Sequence, residues 1–383
     1  MSGPDGSDGR AYPREATTAE LETWDRRVVD APGGHVYQSR IWAAQRARLG
    51  WQPLQVQLDA ERGALVLLRP IPLLGGSTAY IPRGPVVDPS DPREGGEAAA
   101  ERLAALATWL ANRGVAVVAS DAEVPASDAA YGRAIRASGF RPIPEIQPSR
   151  HRVSLALARD TDDDAVRAGL TKSTRQRVAG AERDGISVER HDTAGWGDLQ
   201  PLFERPSESL PDALAGFATL LEATGDRLGF HFGPRQVFID WWEAAHAAGM
   251  LVYLEARDPR ARERALGGLI LYRHGDRLST VHSADAPGVR ESHPGVMHLL
   301  RWRAIQLAIR EGRSEMDLGG VDTGPDHREP ADGDAMAGLY EHKRSFGASW
   351  LAMTGAHERV LSPWRNAAGR VAARVARVVG RRR

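Results

Sequence analysis

The sequence has no cysteine among its 383 residues. Disulfide bonds, thiolate nucleophiles and cysteine-ligated metals are therefore excluded, and the lack of disulfides suits a reducing compartment. No apolar run approaches the roughly 18 residues that a membrane helix needs. Residues 1–10 are rich in Gly, Ser and Asp and lack the apolar core of a signal peptide. We therefore expect a cytoplasmic protein that can touch the inner face of a membrane without crossing it.

Three catalytic motifs are also missing: the His-Glu-x-x-His zinc helix, the Gly-x-x-x-x-Gly-Lys phosphate loop and the Gly-x-Ser-x-Gly nucleophile elbow. Their absence disfavours a metalloenzyme or a hydrolase, and we expect neither a metal nor a cofactor. The 50 basic and 50 acidic residues balance, which excludes a polycation that coats nucleic acid. Any contact with phosphate must therefore come from local basic patches.

Lysine is nearly absent, with only Lys172 and Lys343 among 50 basic residues. Arginine serves wherever a positive charge alone is enough, so a retained lysine indicates a place that needs a compact, rotatable ammonium instead of a planar guanidinium. Lys172 opens a basic helical pattern, and Lys343 lies in a segment that mixes basic and aromatic residues. Chance survival of two lysine codons is the other explanation.

The chain is long enough for about two domains, and its 42% hydrophobic and 26% charged residues are typical of a globular protein. Apolar periodicity predicts the order helix, strands, helix, strand twice over, which indicates an α+β fold of two similar units. The predicted helices cover residues 39–49, 97–112, 126–138, 172–184, 212–224, 235–247 and 296–311. The predicted strands cover residues 54–58, 64–68, 78–81, 115–119, 153–157, 251–256, 266–273, 277–283 and 315–318, of which 251–283 form an antiparallel meander.

These segments divide the chain into a disordered lead (1–14), a first domain (15–150), a second domain (151–342), a further segment (343–362) and a basic tail (363–383). The tail carries arginines at 370, 374, 377 and 381–383 among valines and alanines. Two interpretations are open. The tail is either a solvated, frayed end or an interfacial segment on anionic lipid, where each basic residue contributes on the order of 1 kcal/mol.

Two stretches combine charged side chains with a turn or a helix start. One is a strand that ends in a Pro-Gly turn, around which three functional side chains project: Tyr80, Arg83 and Asp88. The other is a helix whose positive face and free N–H groups suit phosphate. Its basic residues are Lys172, Arg175 and Arg177. An ordinary turn and a solvated helix face are the alternative interpretations.

A third stretch, residues 316–321, is a short apolar strand that carries Asp317 and ends in paired glycines. Glycines at this position allow a ligand to approach the backbone closely. Further along the chain, Tyr340 and Phe346 flank Lys343. We expect these two rings to form a wall for a ribose, a base or a sugar.

In chain order, these stretches resemble the motifs of the Fem (FemABX) family of peptidoglycan-bridge aminoacyltransferases. Members of this family move an amino acid from aminoacyl-tRNA onto the stem peptide of a cell-wall precursor. The resemblance spans residues 38–363. Its five motifs are an opening helix with Gln38, Ser39, Trp42 and Arg46, a Pro-Arg-Gly-Pro turn at 82–85, a Lys-x-x-Arg…Ala-Glu-Arg-x-Gly helix at 172–185, an Asp-Leu-Gly-Gly stretch at 317–320 and a closing segment at 343–347.

The resemblance implies two tandem acetyltransferase-like (GNAT) domains, a segment after Lys343 that returns to the first domain, and no coiled-coil arm. It implies that Arg46 and Arg235 hold the diphosphate of the precursor, and that Lys343 assists the aminoacyl ester or the tRNA end. Asp88 or water would accept the proton of the attacking amine. The tyrosines expected on a later strand are replaced around residues 278–282, which leaves the identity of the acceptor open.

The expected donor is aminoacyl-tRNA, and the expected acceptor is a lipid-linked or UDP-linked precursor. The candidate site residues are Lys343 and Asp88 for catalysis, Arg46, Tyr80, Arg83, Arg235, Asp317 and Phe346 for substrate binding, and Lys172, Arg175 and Arg177 for tRNA. Three alternatives stay open: an acyl-CoA acetyltransferase, tRNA-dependent amide synthesis on a small peptide-like metabolite, and a non-catalytic binding module. The CoA alternative depends on a glycine-rich spacing at residues 93–98, whose acidic neighbours disfavour a polyanion.

Overall fold

The computed structural model describes residues 12–72, 75–87, 95–147, 149–200, 202–228, 233–321, 323 and 326–368. The chain forms two compact units: Met1–Arg150 with Ala352–Arg383, and His151–Leu351. Most of the predicted lead lies outside the described residues, although the first strand already begins at Arg14. The predicted tail lies outside them beyond residue 368.

The first unit is built on one mixed sheet, which has seven strands in the described part of the chain. The strands are β1 (Arg14–Glu15), β2 (Gln52–Gln57), β3 (Gly63–Pro70), β4 (Ser77–Ile81), β5 (Val115–Ser120), β6 (Arg141–Pro142) and, from the end of the chain, β14 (His357–Val360). The helices are α1 (Thr18–Glu22), α2 (Arg40–Arg48), α3 (Gly96–Ala111) and α4 (Ala129–Ala137). The sheet order is β1-β2-β3-β4-β5-β14-β6.

Helix α3 shows why this unit folds as it does. Its apolar residues recur at helical spacing, and Leu103, Leu106 and Leu110 are fully buried against sheet residues such as Val66 and Val118. Full burial of one such side chain contributes roughly 1.5–3 kcal/mol. The apolar side of α3 therefore covers one face of the sheet.

The second unit repeats the plan with another seven-stranded sheet in its described residues. Its strands are β7 (Arg152–Ala156), β8 (Ser187–His191), β9 (Leu251–Asp258), β10 (Ala261–His274), β11 (Arg277–Asp285), β12 (Glu315–Gly320) and β13 (Ser349–Leu351). Its helices are α5 (Asp163–Gly169), α6 (Lys172–Arg183), α7 (Leu210–Leu228), α8 (Arg235–Ala247), α9 (Val289–Ser292), α10 (Val296–Arg310) and α11 (Ala337–Arg344). The order is β13-β7-β12-β11-β10-β9-β8, and β9, β10 and β11 form the predicted antiparallel meander.

Helices cover both faces of the second sheet. Val178 of α6 and Leu299 of α10 belong to one core with Leu254 of β9. On the other face, the Phe217 ring of α7 lies 5.2 Å from the Tyr253 ring. Because both faces are covered, the strands of this sheet are buried along most of their length.

Among the described strands, each unit has one parallel pair beside antiparallel ones, and the two parallel pairs differ in extent. The β4–β5 pairing continues to Ile81 and Ser120, where both strands end. The β11–β12 pairing ends at Ser279 and Asp317, although β12 itself continues to Gly320. The last residues of β12 are therefore outside the parallel ladder.

The chain returns to the first unit later than the predicted Lys343. Strand β13 still pairs with β7 in the second sheet, and the first unit resumes at Ala352, before β14 pairs with β5. The return is delayed because residues 349–351 complete the edge of the second sheet.

The longest helix among the described residues is α7, with 19 residues. The described part of the second unit thus holds no long helical hairpin arm. In the same part of the chain, none of the helices combines the length and the apolar character required to span a bilayer.

Candidate functional site

In the first unit, a tightly tied loop follows β4. The side-chain amide of Gln38 donates to the Pro82 carbonyl, and its oxygen accepts the N–H of Leu65 in β3 at 2.7 Å. The hydroxyl of Ser120 donates to the Gly84 carbonyl at 2.6 Å. A Cβ at Gly84 would lie 2.7 Å from the Gln38 amide nitrogen, so only glycine fits here. These contacts fix the loop that carries Arg83.

Arg83 and Tyr80 converge on Asp121, which the sequence analysis missed. One carboxylate oxygen of Asp121 accepts the backbone N–H of Arg83 at 2.7 Å. The other accepts the Tyr80 hydroxyl at 3.0 Å and lies 3.6 Å from Nε of Arg83. The side chain of Gln147 donates to the Tyr80 oxygen at 3.0 Å. An aspartate directly after an apolar strand, at the edge where parallel strands end, was the available signal.

Burial dominates the electrostatics of this cluster. It raises the pKa of Asp121 above its ordinary value, against the effect of Arg83, and it raises the pKa of Tyr80 well above 10.0. Arg83 has a φ of 50°, a left-handed conformation that costs a non-glycine residue of order 1–3 kcal/mol. The contacts with Asp121 hold Arg83 in this conformation.

Arg46 lies in the last turn of α2. The helix begins at its N-cap Ser39, whose hydroxyl oxygen accepts the N–H of Trp42 at 3.0 Å. The Arg46 guanidinium lies 3.8 Å from the Trp42 ring centroid, and that ring stacks on Tyr37 at 4.2 Å. The stacked rings hold the guanidinium in place, and a guanidinium suits bidentate binding of a phosphate group.

Two sequence-predicted features of the first unit fall on or beside undescribed positions. Asp88 lies outside the described residues, and so do residues 91–94 of the glycine-rich spacing. The described start of α3 is informative, because the N–H of Gly96 donates to the Asp128 carboxylate at 3.0 Å. A carboxylate therefore already occupies the first amide of this helix, where a pyrophosphate would bind.

In the second unit, Lys343 projects from α11 into the interior and is only 4% exposed. Its ammonium donates to the Gly320 carbonyl at 2.7 Å. Gly319 has a φ of 86°, and a Cβ there would lie 2.7 Å from the Thr280 carbonyl oxygen. The paired glycines thus let the end of β12 pass close to Lys343.

Arg301 of α10 is a second buried cation beside the same strand end, and the sequence analysis did not identify it. Its side chain is 2% exposed. It donates to the Leu318 carbonyl at 3.3 Å and to Nε2 of His342 at 3.0 Å. The His342 ring meets the His298 ring edge-on at 4.4 Å. The sequence signal for Arg301 was its position among the apolar residues of a predicted helix.

This cluster holds more positive charge than the one around Asp121. Burial lowers the pKa of Lys343 well below 10.5, and Arg301 lowers it further, while Asp317 opposes the shift. Burial also lowers the pKa of Arg301 to about 10, of His298 to about 4 and of His342 to about 2. The histidines are therefore neutral. The carboxylate of Asp317 supports the positive charge of Lys343.

Asp317 and Phe346 support the cluster differently. Asp317 is buried, its pKa is raised by that burial, and it accepts the N–H of Gly319 at 2.7 Å. Phe346 is fully buried in the hydrophobic core and lies 5.5 Å from the His342 ring. The expectation that Phe346 forms a ligand wall is wrong, because its ring packs inward after α11 ends.

The predicted phosphate contacts of the second unit lie on helix starts. Lys172 is exposed at the start of α6. Arg175 donates to the carbonyls of Leu170 and, at 3.3 Å, Ala168, so it caps the end of α5. Arg177 donates to Pro294 at 3.5 Å. Arg175 therefore stabilises the end of α5, in addition to any contact with tRNA.

Arg235, predicted to bind diphosphate, is the first residue of α8. Its guanidinium forms an ion pair with Glu222 of α7 at 2.9 Å and donates to the Thr219 hydroxyl at 3.1 Å. Both partners of the ion pair are more than a third exposed. Arg235 therefore joins two helices at the surface of the second unit, where a stronger anion can compete for it.

The described residues include one group with the composition of a metal site. Glu189, His191 and Glu255 are buried and offer ligand atoms within 4.8 Å of one another. The guanidinium of Arg257 lies 2.6 Å from Glu255 and 3.6 Å from Glu189. This arginine supplies the positive charge that a metal would otherwise bring, so we interpret the group as a structural ion-pair network.

Known proteins resemble this chain over both units. The family model of the acetyltransferase (GNAT) domain matches residues 171–344. The lipid II:glycine glycyltransferase of Staphylococcus aureus is 26% identical over 250 residues, which cover 62% of this chain and 53% of that protein. The chain thus spans about half the length of the curated relatives it matches.

Solved structures extend the likeness. The crystal structure of FemX matches with a TM-score of 0.71 at 18% identity and covers 91% of this chain and 97% of that one. A conserved protein of unknown function from Bacteroides thetaiotaomicron VPI-5482 matches with a TM-score of 0.52 at 10% identity, over 91% of this chain and 99% of that one. The predicted fold of two tandem GNAT-like units is confirmed.

The sequence motifs, the GNAT domain match and the FemX-like fold agree. The chain therefore contains a GNAT domain and has the fold of FemX, and both agree with its resemblance to the FemABX family.

Proposed function

We propose that this chain is an aminoacyltransferase that moves an amino acid from aminoacyl-tRNA onto the stem peptide of a peptidoglycan precursor. The relationship to a lipid II:glycine glycyltransferase supports this class of acceptor. The single observation that carries the chemistry is Lys343, a buried ammonium held on the Gly320 carbonyl beside Arg301. A cation fixed in a water-poor site stabilises the negative charge that develops on an ester carbonyl under attack.

The reaction needs little from the protein beyond alignment and charge stabilisation. The amine nitrogen of the acceptor attacks the ester carbonyl carbon, and a C–N bond forms as the C–O bond to the ribose breaks. The amine loses one proton, and the leaving ribose hydroxyl takes one up. Alignment alone contributes up to roughly 7–11 kcal/mol of barrier reduction. Lys343 donates to the oxyanion, while Asp88 or water accepts the proton.

Arg46 is the residue that we assign to the diphosphate of the precursor, because its guanidinium is held over the Trp42 ring, 3.8 Å from the ring centroid. Asp121 positions Tyr80 and Arg83 in the same unit. Lys172 and the exposed face of α6 are assigned to the tRNA backbone. The proposed donor needs no cofactor, since the ester is already activated.

The start of α3 argues against acyl-CoA as the donor. The Asp128 carboxylate holds the Gly96 amide, and a pyrophosphate at that amide would face like charge. The start of α10 is also crowded, because a Cβ at Gly295 would lie 2.3 Å from the Arg177 carbonyl oxygen. These contacts disfavour CoA as the donor.

The test is to incubate the purified chain with charged tRNAs and with lipid-linked or UDP-linked precursors, and to follow the precursor mass. We expect a gain of one aminoacyl residue that depends on the charged tRNA. Parallel reactions with acetyl-CoA and with small peptides distinguish the alternatives. Acetylation without tRNA, or transfer to small peptides alone, contradicts the proposal. Binding without transfer to any acceptor indicates a non-catalytic module.

A further inference from the structure

One end of the first-unit sheet collects three tryptophan–arginine pairs. Five strand termini lie together there, as shown by the pairing of Gln52 with Leu68, Ser77 with Val115, and Val360 with Val117. This is the end opposite to the one that carries Asp121. We call it the rim, and its six residues are Trp51, Arg69, Trp109, Arg113, Trp364 and Arg365.

Each rim arginine lies over the ring of a rim tryptophan. The guanidinium-to-centroid distances are 5.3 Å for Arg69, 3.4 Å for Arg113 and 5.0 Å for Arg365. Arg365 also donates to the Gly114 carbonyl at 3.3 Å, which attaches the end of the chain to the start of β5. Trp364, beside it, is 61% exposed. The structure thus keeps the Trp364 ring exposed to solvent.

The rim has charge of one sign only. The segments 47–54, 66–72, 75–79, 108–117 and 359–368 contain five arginines and no aspartate or glutamate, in a chain whose 50 basic and 50 acidic residues balance. The rim end of the unit also exposes Leu49 and Val360. Tryptophan, arginine and exposed aliphatic side chains together are typical of surfaces that lie in the headgroup region of a bilayer.

We propose that the rim docks the first unit onto a bilayer that contains anionic lipid. Charge complementarity supports this partner, and exposed Leu49, Val360 and Trp364 gain from leaving water for the acyl boundary. The described residues end at residue 368, close in sequence to Arg365 of the rim, and the sequence that follows contains six arginines and no acidic residue. A folded surface and a basic tail then give the two membrane signals that stable attachment requires.

The docking also suits the position of Arg46. This residue lies in the last turn of α2, and the same helix ends beside Leu49 at the rim. The backbone N–H of Trp51 donates to the Arg46 carbonyl at 3.1 Å. A rim in contact with lipid headgroups therefore brings the membrane surface close to the residue assigned to the precursor diphosphate.

The test uses the full-length chain in co-sedimentation with vesicles of phosphatidylglycerol and phosphatidylcholine, and with vesicles of phosphatidylcholine alone. We expect binding to the anionic vesicles that weakens as salt rises. The double variant R69Q/R113Q should reduce partitioning by roughly tenfold or more, since each basic residue near the surface adds a factor of about five. Trp364→Ser should reduce the partitioning several-fold, and it should do so at high salt as well. The matched control R133Q/R136Q removes two exposed arginines of α4 outside the rim and should bind like wild type.

Circular dichroism of each variant checks the fold, and filter binding of bulk tRNA runs in parallel. Loss of vesicle binding in both rim variants, with the control intact, supports the proposal. Absence of wild-type binding to anionic vesicles overturns it, and so does equal binding by wild type and both rim variants. If the rim variants lose affinity for tRNA and keep their affinity for vesicles, the rim is a nucleic-acid surface and the proposal is wrong.

Discussion

The two units use their parallel strand pairs differently. In the first, β4 and β5 remain paired to their ends at Ile81 and Ser120. The polar residues of this site lie beyond the strand ends, where the Asp121 carboxylate is matched by Arg83. The first unit therefore presents a neutralised, tightly held network.

In the second unit, the β11–β12 pairing stops at Asp317. The carbonyls of Leu318 and Gly320 are then bound by two buried cations, Arg301 and Lys343. Burial depresses the pKa of Lys343, and the positive charge of Arg301 depresses it further. The same scaffold therefore holds a matched ion pair where the strand pair is closed and two buried cations where it opens.

Replacement of Lys343 should have the largest effect on activity. Lys343→Ala removes the donor to the oxyanion, and loss of one such donor lowers kcat by about 10²–10³. Lys343→Arg should also be impaired, because the planar guanidinium of arginine cannot replace the compact ammonium of lysine against the Gly319–Gly320 backbone. Transfer rates with charged tRNA check both variants, with thermal unfolding as the control for folding. Wild-type turnover in the arginine variant contradicts a specific need for lysine.

Asp121→Asn should have the largest effect on stability in the first unit. The variant keeps the shape of the side chain but leaves Arg83 buried without its counter-charge, which costs about 3–5 kcal/mol. Urea unfolding measures the loss. The matched control is Asp59→Asn, which breaks a more exposed pair with Arg102 at 3.6 Å and should cost at most about 1 kcal/mol. Equal losses in the two variants would mean that the Asp121 network adds no stability.

Acid should destabilise the second unit through its partly buried histidines. Burial lowers the pKa of His282 to about 4, whereas an unfolded histidine titrates near 6.5. As the pH falls below 6.5, protons bind the unfolded chain first, so the free energy of unfolding decreases by about 2 kcal/mol per such histidine at pH 5. Urea unfolding at pH 7 and pH 5 should show a smaller decrease for His282→Gln than for wild type. An identical pH dependence would refute the assignment.

Arg301→Met should have a smaller, diagnostic effect on the pH profile. Removal of the neighbouring positive charge raises the pKa of Lys343 toward its ordinary value, so the ammonium survives to higher pH. Transfer depends on that ammonium, and its alkaline decline should therefore move to higher pH in the variant. Initial rates, corrected for ester hydrolysis without enzyme, measure the shift. If the alkaline decline stays at the same pH in the variant, Arg301 does not control the protonation of Lys343.

Most of the fold was predictable, because its elements show clear periodicity. The helix predicted over 235–247 has those bounds in the structure, and the strand predicted over 115–119 ends at Ser120. Strand β8 was not predicted, because Glu189 and His191 interrupt any apolar pattern there, although both side chains are buried in an ion-pair network. Burial of charge is set by tertiary partners, which periodicity does not reveal.

The candidate site was predictable only where composition gave a signal. Lys343 stood out because lysine is so rare in this chain. Asp121 and Arg301 were missed, because their importance comes from contacts with residues distant in sequence, such as the bond from Arg83 to Asp121 across 38 positions. Arg175 shows the reverse case, since a basic residue read as a phosphate contact caps the neighbouring helix.

The division between binding in the first unit and chemistry in the second is tested most directly by the kinetics of Arg46→Leu toward both substrates. A charge-assisted hydrogen bond contributes about 1.5–3 kcal/mol, so the KM for the precursor should rise by about tenfold or more. The KM for aminoacyl-tRNA and the kcat at saturating precursor should stay close to wild type. Equal increases in both KM values, or a collapse of kcat with an unchanged KM for the precursor, would contradict this division.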